Sequence, residues 1–278
     1  MKNQITLLIL GSILAGSFSF AQGGWTQGKN KYYVKAAFQT INSDTHFDQN
    51  GIETKNDDFG ISSLGIYGEY GKTDNLTLTA YIPVFTAFNQ PNQVTLPGST
   101  IFENTTSLPL GDLEIGAKYK LFKNKHIATA LTGKLRLPLG GGEFNQGLTL
   151  SAGIPISNTK NFSIYSNVYG GANNRPSDFS DEWRYGVELG LGYRNKIWLF
   201  LKQDNIKSFE NVQTDLDSQN IRANELYGNG YGINTLSGEL SYFITDTFGL
   251  SIHYLNVYDG QLSLKGNTYT GGVFWNLR

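Results

Sequence analysis

The chain contains no cysteine. Disulfides, thiol catalysis, Cys-ligated metals and a lipid-attachment cysteine behind a signal peptide are therefore all excluded. Long apolar runs are also missing beyond the N-terminus, where nothing approaches the length a membrane-spanning helix needs. There is no excess of cations either. The formal net charge is −1 over 278 residues, which sets nucleic acid aside as a partner. Histidine is scarce, with only His46, His126 and His253. What is abundant is Gly (33), Phe (17) and Tyr (16), in a chain of negative mean hydropathy. Glycine and aromatics together suit strands, bends and interfacial rings.

The first residues carry a compartment signal. Lys2 precedes the apolar run 5–14, and Ser19-Phe20-Ala21 places small residues where a signal peptidase reads, with cleavage expected before Gln22. We expect a signal peptide over 1–21 and one barrel domain over 22–278. The lead GGWTQGKNK follows, with Trp25 as a candidate interface anchor.

The clearest strand pattern lies in the middle of the chain. Leu113, Ile115, Ala117, Tyr119 and Leu121 alternate with Glu114, Gly116, Lys118 and Lys120. After a turn at 123–125, Ile127, Leu131, Leu135 and Leu137 oppose Ala128, Thr132, Lys134 and Arg136. Period-2 alternation makes each arm a strand with one apolar face, and the short turn makes them antiparallel. The same rhythm predicts strands over about 32–41, 59–70, 76–84, 148–156, 162–170, 185–193, 197–205, 232–244, 248–258 and 267–278. Tight turns at 73–75, 157–161, 195–196 and 245–247 join the 123–125 turn, and alternate with longer stretches such as 42–58, 89–109, 139–146 and 207–230.

Twelve strands with short and long connections in alternation predict an all-β fold, a transmembrane antiparallel up-and-down β-barrel. Its apolar faces meet lipid and its polar faces line the lumen. An even strand number puts both termini on one side, expected to be the periplasm, with the barrel in the outer membrane. Unpaired edge amides cost several kcal/mol each in hydrocarbon, so the first and last strands must pair. Tyr32, Tyr70, Tyr119, Trp183, Tyr193, Trp198, Tyr254 and Trp275 near strand ends are expected to form aromatic girdles. The competing reading is a periplasmic β-sandwich with its aromatics in a dry core.

The phase of each strand assigns Glu69, Glu114, Lys118, Lys134, Arg136, Arg184, Glu188, Lys202, Glu239 and His253 to the lumen. Charges of both signs there either brace a narrow barrel by pairing across it or line an aqueous path and set its selectivity. Many other inward positions are small, among them Ala37, Ser63, Gly65, Thr79, Gly116, Gly153, Gly190 and Gly192. A narrow, partly open lumen is expected.

No catalytic motif is present. His46 lies among loop acids, His126 beside a turn and His253 on the lumen face, none with a nucleophile motif. We expect no enzyme activity, cofactor or metal; the acidic stretches 42–58 and 207–230 lack the spaced ligand pattern of a calcium loop. Gly140-Gly141-Gly142 opens no helix and is not a phosphate loop.

The segments GGWTQGKNKYYVK (23–35), IYGEYGKTDNLTLTAYIPV (66–84) and LGDLEIGAKYKLF (110–122), the last followed by GKLRLPLGGG, resemble Bacteroidetes-type outer-membrane barrels. More broadly they are similar to the phenol meta-pathway transporter family. That resemblance implies a barrel that passes small, hydrophobic compounds, and it brings no catalytic residues. The final strand, with Tyr269, Gly271, Val273, Trp275 and Leu277 on one face, also resembles the terminal signal read by the barrel-assembly machinery. The partners expected are therefore outer-membrane lipid, that machinery and other envelope proteins. A channel for small molecules is the leading expectation. The alternative is an accessory barrel with an occluded lumen, part of a larger envelope complex.

Overall fold

A computed structural model describes residues 23–96, 99–105, 112–139, 144–175, 179–210 and 231–277. The expected signal segment, the triple glycine and most of the 207–230 stretch lie outside the described residues.

Among the described residues thirteen strands follow one another: β1 (Tyr32–Phe47), β2 (Glu53–Gly71), β3 (Leu76–Leu96), β4 (Ser99–Thr105), β5 (Leu113–Lys123), β6 (Ala128–Leu137), β7 (Asn145–Asn158), β8 (Phe162–Asn174), β9 (Glu182–Tyr193), β10 (Ile197–Ser208), β11 (Gly232–Phe243), β12 (Phe248–Gln261) and β13 (Ser263–Leu277). All but β4 form the wall of a barrel, each antiparallel to its neighbours. β1 closes the wall against β13, from Tyr32 opposite Leu277 to Phe47 opposite Ser263. β4 pairs only with the upper part of β3, as a hairpin standing on the rim. Closure pairs both edges that an open sheet would leave bare. The sandwich reading is thereby overturned.

The five tight turns have identifiable causes. Thr73, Thr159 and Thr245 each accept a backbone N–H three residues on through Oγ1, at 3.0 Å in every case. Asn124 Oδ1 does the same for His126 and Ile127. Such side-chain acceptors mimic a backbone turn. At the fifth turn Arg194 and Asn195 both adopt positive φ (51° and 55°) and the Lys196 N–H donates to the Tyr193 carbonyl at 3.0 Å. The connection therefore spans three residues, Arg194 to Lys196, with Tyr193 paired to Ile197, and not 195–196 as expected. The β5–β6 turn thus occupies 124–127, and not 123–125 as expected, because a bulge near Leu121 shifts the register.

The stretch expected as loop at 42–58 is largely strand. β1 and β2 stay paired up to Phe47 opposite Glu53, and Asp48 caps the bend through bonds to Asn50 and Ile52. The stretch 89–109 likewise contains the β3–β4 hairpin. The last connection reduces to Leu262, with φ 48°, between Gln261 (paired with β11) and Ser263 (paired with β1). In 42–46 both phases of the strand carry polar residues (Asn42, Ser43, Asp44, Thr45 and His46), so there is no apolar alternation to read. Pro83, expected near a strand end, sits beside a register shift in the β2–β3 ladder, where a missing N–H is tolerated.

Outward residues are apolar around the whole wall: Leu78, Ile82, Leu148, Leu150, Leu201, Leu236 and Ile252 are all exposed. Seven of the eight expected girdle aromatics also face out. The exception is Trp198, whose ring points into the barrel against Phe200 and Tyr165. Leu201→Arg should therefore destabilise the inserted barrel by about 2–4 kcal/mol, the depth-dependent cost of a cation on the lipid face. Urea titration in vesicles measures it, and Gln203→Arg nearer the rim should cost less.

Candidate lumen site

Residues 23–31 enter the barrel at its turn end and run across the lumen. The Gly24 N–H donates to Asn167 Oδ1 (3.2 Å), and Ser151 Oγ donates to the Gly23 carbonyl (3.2 Å). The Gln27 backbone N–H reaches Thr77 Oγ1, and its side-chain amide reaches Glu69 Oε2, each at 2.8 Å. Trp25 packs edge-on against Tyr165, with ring centroids 5.0 Å apart. Trp25 is thus a lumen residue and not an interface anchor. Gly24 allows this close passage: a Cβ there would collide with the carbonyl of Ala128.

Above this segment lies a cavity of about 210 Å³. Trp25, Tyr33, Tyr165, Trp198, Phe200, Phe243 and Phe274 supply aromatic walls, and Glu69, Lys118, Glu188 and Glu239 supply charge. Tyr165 donates to Glu188 (2.8 Å) and Tyr67 to Glu69 (2.7 Å). Lys118 is buried at 2% exposure, and its ammonium donates to the Trp25 carbonyl at 3.4 Å. Among the described residues it has no carboxylate within ion-pair distance.

The remaining charges are paired. Lys35 reaches both oxygens of Glu239 at 3.0 Å, and Ser241 adds a third contact. Glu114 holds Lys134 at 2.7 Å and Arg136 at 3.9 Å. Asp204 collects Arg184 (2.7 Å), Lys202 (3.5 Å) and the Tyr169 hydroxyl (2.7 Å). Nearer the loop end Arg175 meets Glu182 at 2.8 Å and lies over Phe179 and Tyr231. The loop-end interior then turns apolar, with Ile41, Ile61, Ile233 and Val257 buried.

All ten residues assigned to the lumen by phase lie on inward positions. Glu69, Lys118, Glu188 and Glu239 come together at the cavity. Glu114, Lys134 and Arg136 form one cluster, Arg184 and Lys202 another, and His253 stands apart opposite Thr270 and Glu239. Lys35 and Asp204 were missed, although the same alternation places both inward. His46 is buried near the loop end and His126 sits exposed in a turn, so the three histidines lie far apart. Among the described residues no group of three or more His, Asp or Glu side chains is placed so that it could hold a metal ion.

The small inward residues do not sum to open space. Gly190 faces the ring of Tyr165, Gly192 that of Trp198, Gly186 that of Tyr169, Gly249 that of Phe274, Gly65 that of Tyr81 and Gly153 that of Trp25, with no room for a Cβ at any of them. The glycines are seats for rings, and the cavity above Trp25 lies among those rings.

No family model matches the chain, and no curated protein matches it in sequence. Solved structures do resemble it in fold. The COG4313 outer membrane channel from Pseudomonas putida F1 superposes with a TM-score of 0.61 at 16% identity, over 91% of this chain and 97% of that one. The KdgM porin in complex with disordered oligogalacturonate gives 0.52 at 10%, over 88% and 99%. The NanC porin gives 0.50 at 8%, over 88% and 100%. At such identities the likeness establishes the fold, an outer-membrane type of β-barrel.

Proposed function

We propose that the chain is an outer-membrane channel for small solutes with an apolar face, closed at rest by its own N-terminal segment. The observation that carries this reading is the cavity inside the wall, where aromatic rings and buried charges share one pocket against Trp25. A water-filled pore for ions alone would gain nothing from stacked Trp198 and Phe200, 5.9 Å apart and nearly parallel. An apolar solute entering from the loop end would pass Ile41, Ile61, Ile233 and Val257, cross the paired charges and rest on the rings. The resemblance of the turn and strand motifs to the phenol meta-pathway transporters supports the same reading. So does the fold shared with a bacterial outer membrane channel.

In this reading the exposed belt sits in the hydrocarbon, the five tight turns and both termini face the periplasm, the assembly machinery reads β13, and no reaction is catalysed. The accessory-barrel reading has its own support in the lumen, where nearly every charge is already paired. Planar-bilayer recording from refolded protein separates the two. Small discrete steps are expected, and Lys118→Glu should move the reversal potential toward cation preference, because that ammonium has no carboxylate partner to absorb the change. A folded protein that stays silent, and that takes up no small aromatic solute in liposomes, would favour the accessory role.

A further inference from the structure

The wall ends differ sharply in charge. At the turn end, cations stand on or beside four of the five tight turns: Lys72; Lys123 and Lys125; Lys160; Arg194 and Lys196. The acids there are Asp74 and Asp246, and the Asp74 carboxylate already accepts the backbone N–H of Lys29 at 3.0 Å. Among the described residues none of Lys72, Lys123, Lys125, Lys160 and Lys196 has a carboxylate within ion-pair distance. In the lumen most charges are paired, whereas these exposed ammonium groups stand in solvent without a carboxylate among the described residues. Among the described residues the loop end has the opposite balance, with Asp44, Asp48, Glu53, Asp181, Glu210 and Asp259 against Lys55, Arg175, Lys207 and Lys265.

The basic ring is continuous with the lipid-facing surface. Arg194 follows Tyr193 at the end of its strand, Lys72 lies two residues beyond Tyr70, Lys123 and Lys125 follow outward Phe122, and Lys160 lies two before Phe162. The Arg194 guanidinium lies over the Tyr193 ring at 5.2 Å. Outward rings mark the depth of the headgroups, so cations one or two residues further out sit level with the phosphates.

We propose that this ring binds the headgroups of anionic glycerophospholipids in the leaflet that the turn end meets, forming an annulus of selected lipid around the turns. The inference rests on the membrane seating given above. The charge complement is direct: exposed ammonium groups without protein partners, arranged around a perimeter, at phosphate depth. A cation near an anionic surface gains an attraction worth about fivefold in partition, and salt removes it because the screening length shrinks to roughly 3 Å at 1 M.

The test uses the refolded chain in phosphatidylcholine vesicles carrying a trace of spin-labelled phosphatidylglycerol or spin-labelled phosphatidylcholine. The fraction of motionally restricted label gives the relative affinity of each lipid for the wall. We expect phosphatidylglycerol to be preferred about three- to fivefold in low salt and the preference to vanish in 1 M salt. The variant Lys72→Gln/Lys123→Gln/Lys125→Gln/Lys160→Gln/Lys196→Gln should bring the ratio close to one, while Lys55→Gln/Lys207→Gln at the loop end should leave it unchanged. Heat-modifiable gel mobility is read on every sample. A barrel that fails to fold into vesicles would count against the membrane reading itself. A folded barrel with no preference, or one whose preference survives the five substitutions or is lost with the loop-end pair, would overturn this proposal alone.

Discussion

Deleting residues 23–27 should raise single-channel conductance several-fold while leaving the barrel folded. The segment shares no ladder with the wall: it is held by the bonds to Asn167, Ser151, Thr77, Glu69, Lys118 and the Asp74 carbonyl and by the edge contact with Tyr165. Each neutral hydrogen bond contributes about 1 kcal/mol net, so the segment is attached firmly enough to occlude and weakly enough to leave. The Asn30 and Lys31 backbone bonds to Gly71 lie outside the deletion and keep β1 in register with β2. Removing Trp25 alone, as Trp25→Ala, should open the path less, since the backbone of 23–27 would still cross it. Heat-modifiable mobility checks folding, and bilayer recording reads conductance. Unchanged conductance in a folded protein would place the constriction higher, in the paired charges around Glu114 and Asp204.

Alternation made the wall legible. Leu199 and Leu201 flank Phe200 in the same phase as every other outward pair, so the inward positions of β10 follow from the sequence. That phase also put Trp198 inside; the expectation that it joins a girdle came from its closeness to a strand end, and strand-end position is a weaker signal than phase. Lys35 and Asp204 were within reach of the same argument. The role of the inward glycines was harder. Gly190 lies directly opposite Tyr165 and Gly192 directly opposite Trp198 across neighbouring strands, so seeing a seat and not a gap requires the register. Even the short turn misleads: a two-residue loop at 194–195 would pair Tyr193 with Lys196, whereas the three-residue connection pairs it with Ile197 and so sets Gly192 against Trp198. Between strands joined by long connections nothing local gives the register. The path of the N-terminal lead was not legible at all, because its contacts lie on strands far along the chain, with Gly24 and Asn167 separated by 143 positions.

Glu239→Leu should destabilise the barrel by about 3–5 kcal/mol, the cost of leaving a buried ammonium without its counter-ion. Lys35 on β1 and Glu239 on β11 face each other across the interior, at 1% and 2% side-chain exposure, with both carboxylate oxygens engaged. The double variant Lys35→Met/Glu239→Leu should recover most of that loss, since exchanging a buried pair for apolar side chains of similar size is often close to neutral. The coupling energy from the four proteins isolates the pair from the contact that Ser241 makes with Glu239. The rim pair Lys265–Glu53, at 2.6 Å but 35% and 52% exposed, is the internal contrast: water and salt screen it, and Glu53→Gln should cost no more than about 1 kcal/mol despite the shorter distance. Urea titration of each variant in vesicles measures all of these. If Glu239→Leu cost as little as Glu53→Gln, water would have to reach Lys35 inside the wall, and the lumen at that depth would be hydrated and not sealed by the rings of Tyr33, Phe243 and Phe274.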